Sequence, residues 1–269
     1  MNMNEQLVAA AFTKQSRIFD DCFEGNTIIQ YKRKRVRYVV QKYLPPSSTI
    51  LELNSGTGED AIWFAEHGHR VHATDLSTGM QEVLRYKVIV KGLQNIISTE
   101  CCSFSELHNL KKKGPYDLIF SNFAGLNCTA ELTSVLHSFE GLLTPAGLVI
   151  LVIMPKFCLW ETGLLFKGKF STAFRRFFSK NGVPARVERK LFTCWYYNPS
   201  FVKKTLSKEF RLLSMEGLCS LVPPSYLEHF AENHPATYRF LKKKEDRLKN
   251  KWPWNCIGDY YIIALQKHA

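Results

Sequence analysis

The spacing of hydrophobic residues changes near residue 48 of this 269-residue chain. Before that point, residues 27–43 repeat apolar side chains at roughly helical spacing, with lysine and arginine between them. Pro45 and Pro46 end this helix, and an earlier helix is predicted for residues 5–19, followed by a loop at 20–26. Because neither segment has the pattern of a strand, we expect the two helices to form a lid.

Short apolar runs of strand length alternate with helical segments from residue 48 onwards. The strands are predicted at 49–54, 69–74, 96–101, 116–121 and 148–154, and the helices between them at 58–67, 77–91 and 130–143. The run 148–154 is uninterrupted, which is typical of a strand buried on both faces. Strands separated by single helices indicate right-handed crossovers and a parallel sheet.

The alternation is interrupted after residue 155. Further segments are predicted as a helical piece at 157–178, a strand-like piece at 187–197, a helix at 199–208, a strand at 210–220 and a last strand at 258–266. The predicted organisation is an N-terminal helical lid at 1–45, an α/β core at 46–154, an inserted cap at 155–197 and a C-terminal part of the core at 198–269, with a helical insertion at about 223–250.

The stretch T-I-L-E-L-N-S-G-T-G-E-D at 49–60 reads as a strand, a glycine-rich turn and the start of a helix. Open α/β sheets bind nucleotides at such strand ends. Gly56 and Gly58 allow the backbone to approach a ligand closely. Asn54 stands where glycine is more common, and asparagine tolerates a positive φ better than most other residues.

Two kinds of nucleotide cofactor fit this turn. Gly56-x-Gly58-x-x-Ala61 followed by Asp75 satisfies the dinucleotide pattern and would suit a dehydrogenase. However, Glu59 and Asp60 in the first helical turn would repel a pyrophosphate, and Glu52 within the strand requires a polar or cationic partner. A ligand with adenine, ribose and a cationic amino-acid tail fits better, which favours S-adenosylmethionine.

Four motifs in this order resemble the class I S-adenosylmethionine-dependent methyltransferases, in particular the small-molecule group that includes the ubiquinone and menaquinone methyltransferases. They are L-E-L-N-S-G-T-G-E-D, A-E-H-G-H-R-V-H-A-T-D-L-S, Y-D-L-I-F-S-N-F and L-L-T-P-A-G-L-V-I-L-V-I. The resemblance covers 48–154, and 199–267 in outline. It implies a Rossmann-like, mostly parallel seven-stranded sheet with helices on both faces, closed by an antiparallel hairpin of 210–220 with 258–266. It also implies methyl transfer that leaves S-adenosylhomocysteine.

The resemblance assigns cofactor roles position by position. Glu52 would help to hold the amino group of the cofactor, and Asp75 would accept both ribose hydroxyls. The alternative for Asp75 is a helix N-cap, although Ser77 is better placed for that. The loop lining the methionine and ribose would be Asn54, Ser55, Gly56, Thr57 and Gly58, and the border of the adenine would be Leu76 and Met80.

The chain departs from the family after the third strand, where an acidic residue usually contacts adenine. Here the segment is Cys102-Ser103-Phe104, and Ser103 and Phe104 are expected to touch adenine instead. After the fourth strand, Asn122 is either a residue of the cofactor and methyl-transfer site or a residue that shapes the backbone, and Phe123 is expected to pack on the sulfonium.

Residues outside the core are expected to select the acceptor. The aromatic candidates, which suit an apolar or aromatic small molecule and for which core packing is the alternative, are Phe12, Phe19, Tyr31, Trp160, Trp195 and Tyr197. A protic acceptor would also require a general base, for which His229 and His234 in the second insertion are the weak candidates.

Charge and cysteine content add two expectations. The net charge of +12 is spread over scattered clusters, so an RNA methyltransferase is retained as an alternative, together with a non-catalytic cofactor-binding subunit. Eight cysteines without a C-x-x-C pair favour reduced thiols in the cytoplasm and no metal site. No apolar run reaches the ~20 residues of a membrane span.

Overall fold

One seven-stranded sheet organises the computed structural model, which describes residues 2–168 and 170–268. Its strands are β1 (Thr49–Leu53), β2 (Arg70–Asp75), β3 (Ile97–Cys101), β4 (Tyr116–Ser121), β5 (Leu143–Ile153), β8 (Phe210–Leu218) and β9 (Tyr260–Lys267). The order within the described residues is β3-β2-β1-β4-β5-β9-β8. β1 to β5 pair in parallel, whereas β9 runs antiparallel to both β5 and β8. The predicted Rossmann-like fold and its closing hairpin are confirmed.

The helices surround this sheet, and a separate hairpin extends from it. The helices are α1 (Met3–Gln15), α2 (Phe19–Glu24), α3 (Thr27–Tyr43), α4 (Glu59–Glu66), α5 (Thr78–Val90), α6 (Leu132–His137), α7 (Leu159–Gly163), α8 (Phe170–Phe174), α9 (Pro199–Leu206), α10 (Phe230–Asn233) and α11 (Pro235–Leu248). The hairpin consists of β6 (Val183–Val187) and β7 (Lys190–Cys194). Among the described helices, none combines the length and apolarity needed to cross a bilayer.

Two apolar layers cover the faces of the sheet because the central strands are hydrophobic at consecutive positions. In β1, Ile50 belongs to the layer that contains α3, α4 and α5, while Leu51 belongs to the layer that contains α6 and α9. In β4, Phe120 and Ile119 divide in the same way. Strands buried on both faces read as continuous apolar runs, which is why their positions could be predicted closely.

The region predicted as a lid has two different environments. α3 starts at an Asn26 N-cap, whose side chain accepts the N–H groups of Ile28 and Ile29, and its apolar face is part of the core. α1 instead lies against β7 and α5. The loop predicted at 20–26 was wrong, because α2 occupies most of it and is held to the glycine-rich turn where the Thr57 hydroxyl donates to Asp20.

The inserted cap also departs from the prediction. A single strand-like piece was expected at 187–197, but the structure has two strands, β6 and β7, joined by a two-residue turn. The turn residues Glu188 and Arg189 have φ of 46° and 64°. Two-residue turns with positive φ usually contain asparagine or glycine. Because this turn contains neither, the hairpin could not be predicted from the sequence. The predicted helix at 130–143 is also shorter, because α6 ends at His137 and β5 already begins at Leu143.

A buried ionic network joins the cap to α3 and β9. Asp259 accepts from Lys32 Nζ at 2.9 Å and from Arg176 at 2.8 Å, and Arg176 also contacts Glu161 at 2.6 Å. Burial alone would raise the pKa of Asp259, but the two cations outweigh it and hold that pKa below its usual range. Glu161 and Asp259 lie near Cys158 in an arrangement of potential metal ligands, and their carboxylates are already neutralised by basic side chains.

Candidate active site

Two adjoining chambers lie at the carboxyl ends of β1, β2 and β4. The first has a volume of about 840 Å³ and the second about 720 Å³. Their shared walls are Phe19, Asn54, Gly56, Asn122 and Phe123. The carboxyl edge of a parallel sheet is where α/β folds bind ligands, and most of the cofactor residues predicted from the sequence meet here.

The glycine-rich turn forms the floor between the chambers. Asn54 has a φ of 47°, as its tolerance of that conformation predicted. Its side chain donates to the carbonyl of Asn122 at 3.1 Å and accepts from the Ser121 hydroxyl at 2.8 Å, so it links this turn to the end of β4. Gly58 has a φ of 84°, and a Cβ there would lie 2.0 Å from Leu84 Cδ1, so glycine is required on both counts.

Asp75 lies at the end of β2 on the wall of the first chamber. One carboxylate oxygen accepts from Gly56 N–H at 2.9 Å and the other from Ser77 N–H at 2.8 Å. Burial raises the pKa of Asp75, although these N–H donors favour the ionised form. Ser77 is the N-cap of α5, since its hydroxyl accepts from Met80 N–H. Asp75 is therefore free of the capping role and keeps lone pairs for a ligand.

Glu52 is buried beneath the turn and contributes to the wall of the second chamber. Its Oε2 atom is inaccessible to solvent and has no hydrogen-bond partner among the described residues. Burial raises the pKa of Glu52 well above its usual range, and the charges of Asp60 and Asp75 add to this against the opposing effect of Arg33 and Arg37. An unpartnered carboxylate oxygen in such a place suits a ligand that brings its own cation.

Asp60 is neutralised by a cluster that the sequence did not suggest. It accepts from Arg33 at 3.1 Å, from Arg37 Nε at 3.0 Å and from Asn122 Nδ2 at 2.8 Å. Its charge is therefore balanced by α3, and the expected repulsion of a phosphate by Asp60 was the weaker part of the sequence argument. Glu59 pairs with Lys87 at 3.1 Å. Arg33 also borders the second chamber.

The end of β4 is conformationally strained. Phe123 and Ala124 have φ values of 48° and 60°, which phenylalanine and alanine rarely adopt, and such strain is concentrated at functional sites. Phe123 lines both chambers. The Cζ atom of Arg33 lies 4.9 Å from the centroid of its ring, in a cation–π contact. Asn122 accepts from Phe123 N–H at 2.8 Å while donating to Asp60. Its amide oxygen is thus used within the loop and its amide nitrogen by α4, which favours the backbone-shaping alternative.

A carboxylate from α1 reaches the end of β3. Glu5 is buried, accepts from the Ser103 hydroxyl at 2.7 Å and from the Ser105 hydroxyl at 2.6 Å, and lines the first chamber. Phe104 lines the chamber as well, whereas Ser103 faces Glu5. The acidic group missing after β3 is thus present in space, but it comes from a residue almost 100 positions earlier in the chain, which no local motif could reveal.

The predicted acceptor residues fall into three groups. Phe12 and Phe19 line the first chamber. Tyr31 is in the core, where its hydroxyl donates to Glu245 at 2.9 Å, and Trp160 packs on Phe230. Two more residues, which line a different groove, are Trp195 and Tyr197.

The predicted bases lie elsewhere. His229 is 74% exposed and pairs with Glu232, and His234 is exposed beside Phe230. Neither histidine is among the described residues that line the two chambers. Both are exposed residues of the insertion that carries them.

The family model described as a methyltransferase domain matches residues 50–147. A candidate S-adenosylmethionine-dependent methyltransferase of Listeria monocytogenes is similar in structure, with a TM-score of 0.63 and 17% identity over 88% of this chain and 99% of that one. The 1,6-didemethyltoxoflavin N1-methyltransferase of Burkholderia thailandensis, solved with its substrate and S-adenosylhomocysteine, has a TM-score of 0.58 and 13% identity over 100% and 92% of the two chains. These comparisons support a methyltransferase rather than the dehydrogenase alternative.

A curated relative is similar over nearly the whole chain. The tRNA 5-carboxymethoxyuridine methyltransferase of Escherichia coli strain K12 is 24% identical over 267 residues, which cover 94% of this chain and 97% of the relative. The similarity therefore includes the lid, the cap and the C-terminal strands as well as the core.

Proposed function

Because this chain is a class I S-adenosylmethionine-dependent methyltransferase, we propose that it methylates a small molecule with an apolar or aromatic part. The observation that carries this proposal is the second chamber. Four aromatic rings and an isoleucine line one part of its wall, those of Phe19, Phe23, Phe123, Tyr260 and Ile29. The rest of the wall is polar and includes Arg33 and the carboxylates of Glu52, Glu59 and Asp60. The aromatic part suits an apolar or aromatic ligand, and the polar part offers groups that fix its orientation, as in small-molecule sites.

We assign the first chamber to the adenosine part of the cofactor. Asp75 would accept the ribose hydroxyls, and Leu76, Met80 and Phe104 would border the adenine. The unpartnered oxygen of Glu52 would receive the amino group of the methionine part. At Gly56 the backbone of the turn can approach the ligand closely, because no Cβ intervenes. The donor set of these residues therefore fits the cofactor at its hydroxyl, ammonium and aromatic parts.

Catalysis would depend mainly on positioning. The bound cofactor supplies a methyl group on a sulfonium that is already electrophilic. The protein has to hold the acceptor in line with that methyl group and keep water out, which is worth ~7–11 kcal/mol of the barrier. Phe123 lies on the shared wall of both chambers, held by Asn122 and Asn54. We assign it the role of packing on the sulfonium where the two chambers meet.

The proposal is tested with cofactor carrying a radiolabelled methyl group. The enzyme is incubated with pools of small aromatic and aliphatic acids, phenols and amines and, separately, with total RNA. Label that enters the organic extract from a small-molecule pool and is lost in the Asp75→Ala variant supports the proposal. Label found only in acid-precipitable RNA overturns it.

A second candidate is methylation of RNA. The similarity to a tRNA methyltransferase over 94% of the chain favours it, and so does the net charge of +12, since affinity for nucleic acid depends largely on lysine and arginine. The same labelling experiment separates the two candidates, because the RNA fraction and the organic extract are counted independently.

Binding of S-adenosylhomocysteine is expected to release about one proton from Glu52 at pH values below its raised pKa. Burial raises the pKa of Glu52 well above its usual range, which favours the protonated form in the free protein, whereas the ligand ammonium favours the carboxylate. Affinity should therefore increase as pH rises and level off above that pKa. Calorimetry in buffers of different ionisation enthalpy measures the released proton.

Two variants complete the Glu52 experiment. Glu52→Gln has no proton to release and should bind with little dependence on pH. Glu66→Gln, at the exposed end of α4 where Glu66 pairs with Lys91, should behave like the wild type. If the wild type releases no proton, or Glu52→Gln releases as much, the amino group is not held by Glu52.

Glu5 is expected to distinguish adenine from hypoxanthine. The exocyclic amino group of adenine can donate to the Glu5 carboxylate, whereas the oxygen at the same position of S-inosylhomocysteine is repelled by it. A charged hydrogen bond of about 1.5–3 kcal/mol corresponds to a preference of roughly 10–100-fold for the adenine compound. Competition binding with both compounds gives the ratio.

The matched variants for Glu5 are Glu5→Gln and Glu24→Gln. Glu5→Gln should reduce the preference several-fold by removing the charge while keeping the size. Glu24 is exposed at the end of α2, outside the first chamber, so its substitution should leave the preference unchanged. An unchanged ratio in Glu5→Gln would mean that Glu5 only supports Ser103 and Ser105.

A further inference from the structure

A separate groove of about 870 Å³ lies between the start of α9, the end of β7 and the turn at Ser179–Asn181. Its described lining residues include Lys156, Lys180 and Lys204 and no carboxylate. All three lysines are exposed. Three lysines on a wall without a carboxylate give the groove a positive potential, which marks it as a place for an anion.

The start of α9 adds one N–H group, that of Ser200, which no side chain caps. Asn198 occupies the N-cap position but makes no side-chain cap hydrogen bond, because its Oδ1 accepts from Lys156 N–H at 3.1 Å. Pro199 has no N–H, and the N–H of Ser200, which lines the groove, is in the first turn, where helices have no internal acceptor. The positive end of the helix dipole therefore faces the lysines.

A buried hydroxyl on the same wall has no partner. Ser179 is 2% exposed and lines the groove, and its Oγ makes no hydrogen bond with any described residue. Buried hydroxyls are usually paired. This hydroxyl is independent of the lysines and of the helix, and it adds a polar group without a partner to the residues that line the groove.

Aromatic rings form the other side of the groove. Trp195 and Phe201 are partly exposed there, and Phe201 packs on the buried Tyr197 with ring centroids 5.1 Å apart. The backbone of Trp195 is clamped by Asn127, which accepts from its N–H at 2.7 Å through the backbone and donates to its carbonyl at 2.6 Å through the side chain. The rings thus have a fixed backbone and offer a platform for a planar group.

We propose that this groove binds a nucleotide unit, with the phosphate at Lys156, Lys180, Lys204 and the start of α9, and the base against Trp195 and Phe201. Cationic groups beside partly exposed aromatic rings are the combination that holds single nucleotides of a chain, because every base has a face that stacks. The site is separate from the cofactor: the segment 125–130 lies between them, with Gly125 and Cys128 on the first chamber and Ala130 on the groove.

Binding is measured with uridine monophosphate, inorganic phosphate and a pentauridylate, all in the presence of saturating S-adenosylhomocysteine. A uracil probe avoids the adenine-binding chamber. The variants are the double substitution Lys180→Ala/Lys204→Ala and, as a matched control, Lys203→Ala, which removes an exposed lysine of the same helix that does not line the groove. Trp195→Leu tests the stacking platform.

The double variant should bind uridine monophosphate about tenfold more weakly, and its salt-dependence slope for the pentauridylate should fall by about 1.4, that is about 0.7 for each lost phosphate contact. Trp195→Leu should weaken both uridylates but not phosphate. Lys203→Ala should match the wild type. All variants should bind S-adenosylhomocysteine normally, so this result is independent of the methyl acceptor.

The relative affinities of the probes identify the source of the nucleotide. Equal affinity for the monophosphate and the pentamer supports a free nucleotide, and much tighter binding of the pentamer supports an RNA segment. Equal binding of uridine monophosphate and inorganic phosphate overturns the proposal, because the base would then contribute nothing. The absence of binding, or equal weakening by Lys203→Ala, overturns it as well.

Discussion

Asp75→Ala is expected to weaken binding of S-adenosylhomocysteine by at least about 100-fold. Two charged hydrogen bonds to the ribose are worth about 1.5–3 kcal/mol each, so their loss amounts to two orders of magnitude or more. The substitution also removes the acceptor for Gly56 N–H and Ser77 N–H, which loosens the turn around the cofactor. Isothermal titration of the ligand into both proteins measures the change.

Asp117→Ala is the matched control for Asp75→Ala. Asp117 also accepts a backbone N–H within the sheet, that of Thr49 at 2.8 Å, but it lies at the amino end of β4, opposite the chambers. Its loss should lower the melting temperature and leave the affinity for the ligand unchanged. If Asp75→Ala binds as tightly as the wild type, the ribose is held elsewhere and the cofactor assignment is wrong.

Asp259→Ala is expected to lower the free energy of unfolding by about 3–5 kcal/mol, the usual cost of removing one partner from a buried ion pair. The substitution leaves Lys32 and Arg176 as buried cations without their shared acceptor. Because domains are stable by only about 5–15 kcal/mol, much of the protein should unfold under mild denaturation. Urea unfolding followed by circular dichroism gives the difference.

The same carboxylate should contribute to acid sensitivity. Since the pKa of Asp259 is below its usual range in the folded protein, its stabilisation is fully present above the unfolded-state pKa and is lost as pH falls through the folded-state value. Asp259→Ala should remove this part of the acid transition. Asp246→Ala, at a carboxylate that is 47% exposed, should change stability by only about 0.5 kcal/mol. Similar losses in both variants would contradict a special role for the network.

The sheet could be predicted from the sequence because its strands are defined locally. Ile50 and Leu51 in β1, like Ile119 and Phe120 in β4, are apolar at neighbouring positions, which is a signature of a strand covered on both faces. Asp75 followed a strand at a recognisable distance from the glycine-rich turn. Elements whose signal depends on turn chemistry were predicted less well, as the hairpin at Glu188 and Arg189 shows.

The parts of the site that the sequence did not reveal come from distant segments. Glu5 and Arg33 reach the chambers from the N-terminal helices, and their contacts with Ser103 and Asp60 form only after the chain has folded. The left-handed backbone at Phe123 and Ala124 was equally hidden, since neither residue type favours that conformation. Tyr31 lies in the core, which was the alternative given for it, because an aromatic residue at helical spacing fits core and pocket alike.

Since α1 contributes Glu5, Val8, Ala9 and Phe12 to the first chamber, a ligand there is also a tertiary contact for that helix. A helix of 13 residues is marginal by itself in water. Where unfolding of α1 removes the ligand contacts, bound ligand makes this local unfolding less frequent. At a ligand concentration a hundredfold above Kd, the free energy of local unfolding rises by about 2.7 kcal/mol. The rate of amide hydrogen exchange in the first 15 residues therefore reports the fraction of the protein that has ligand bound in the first chamber.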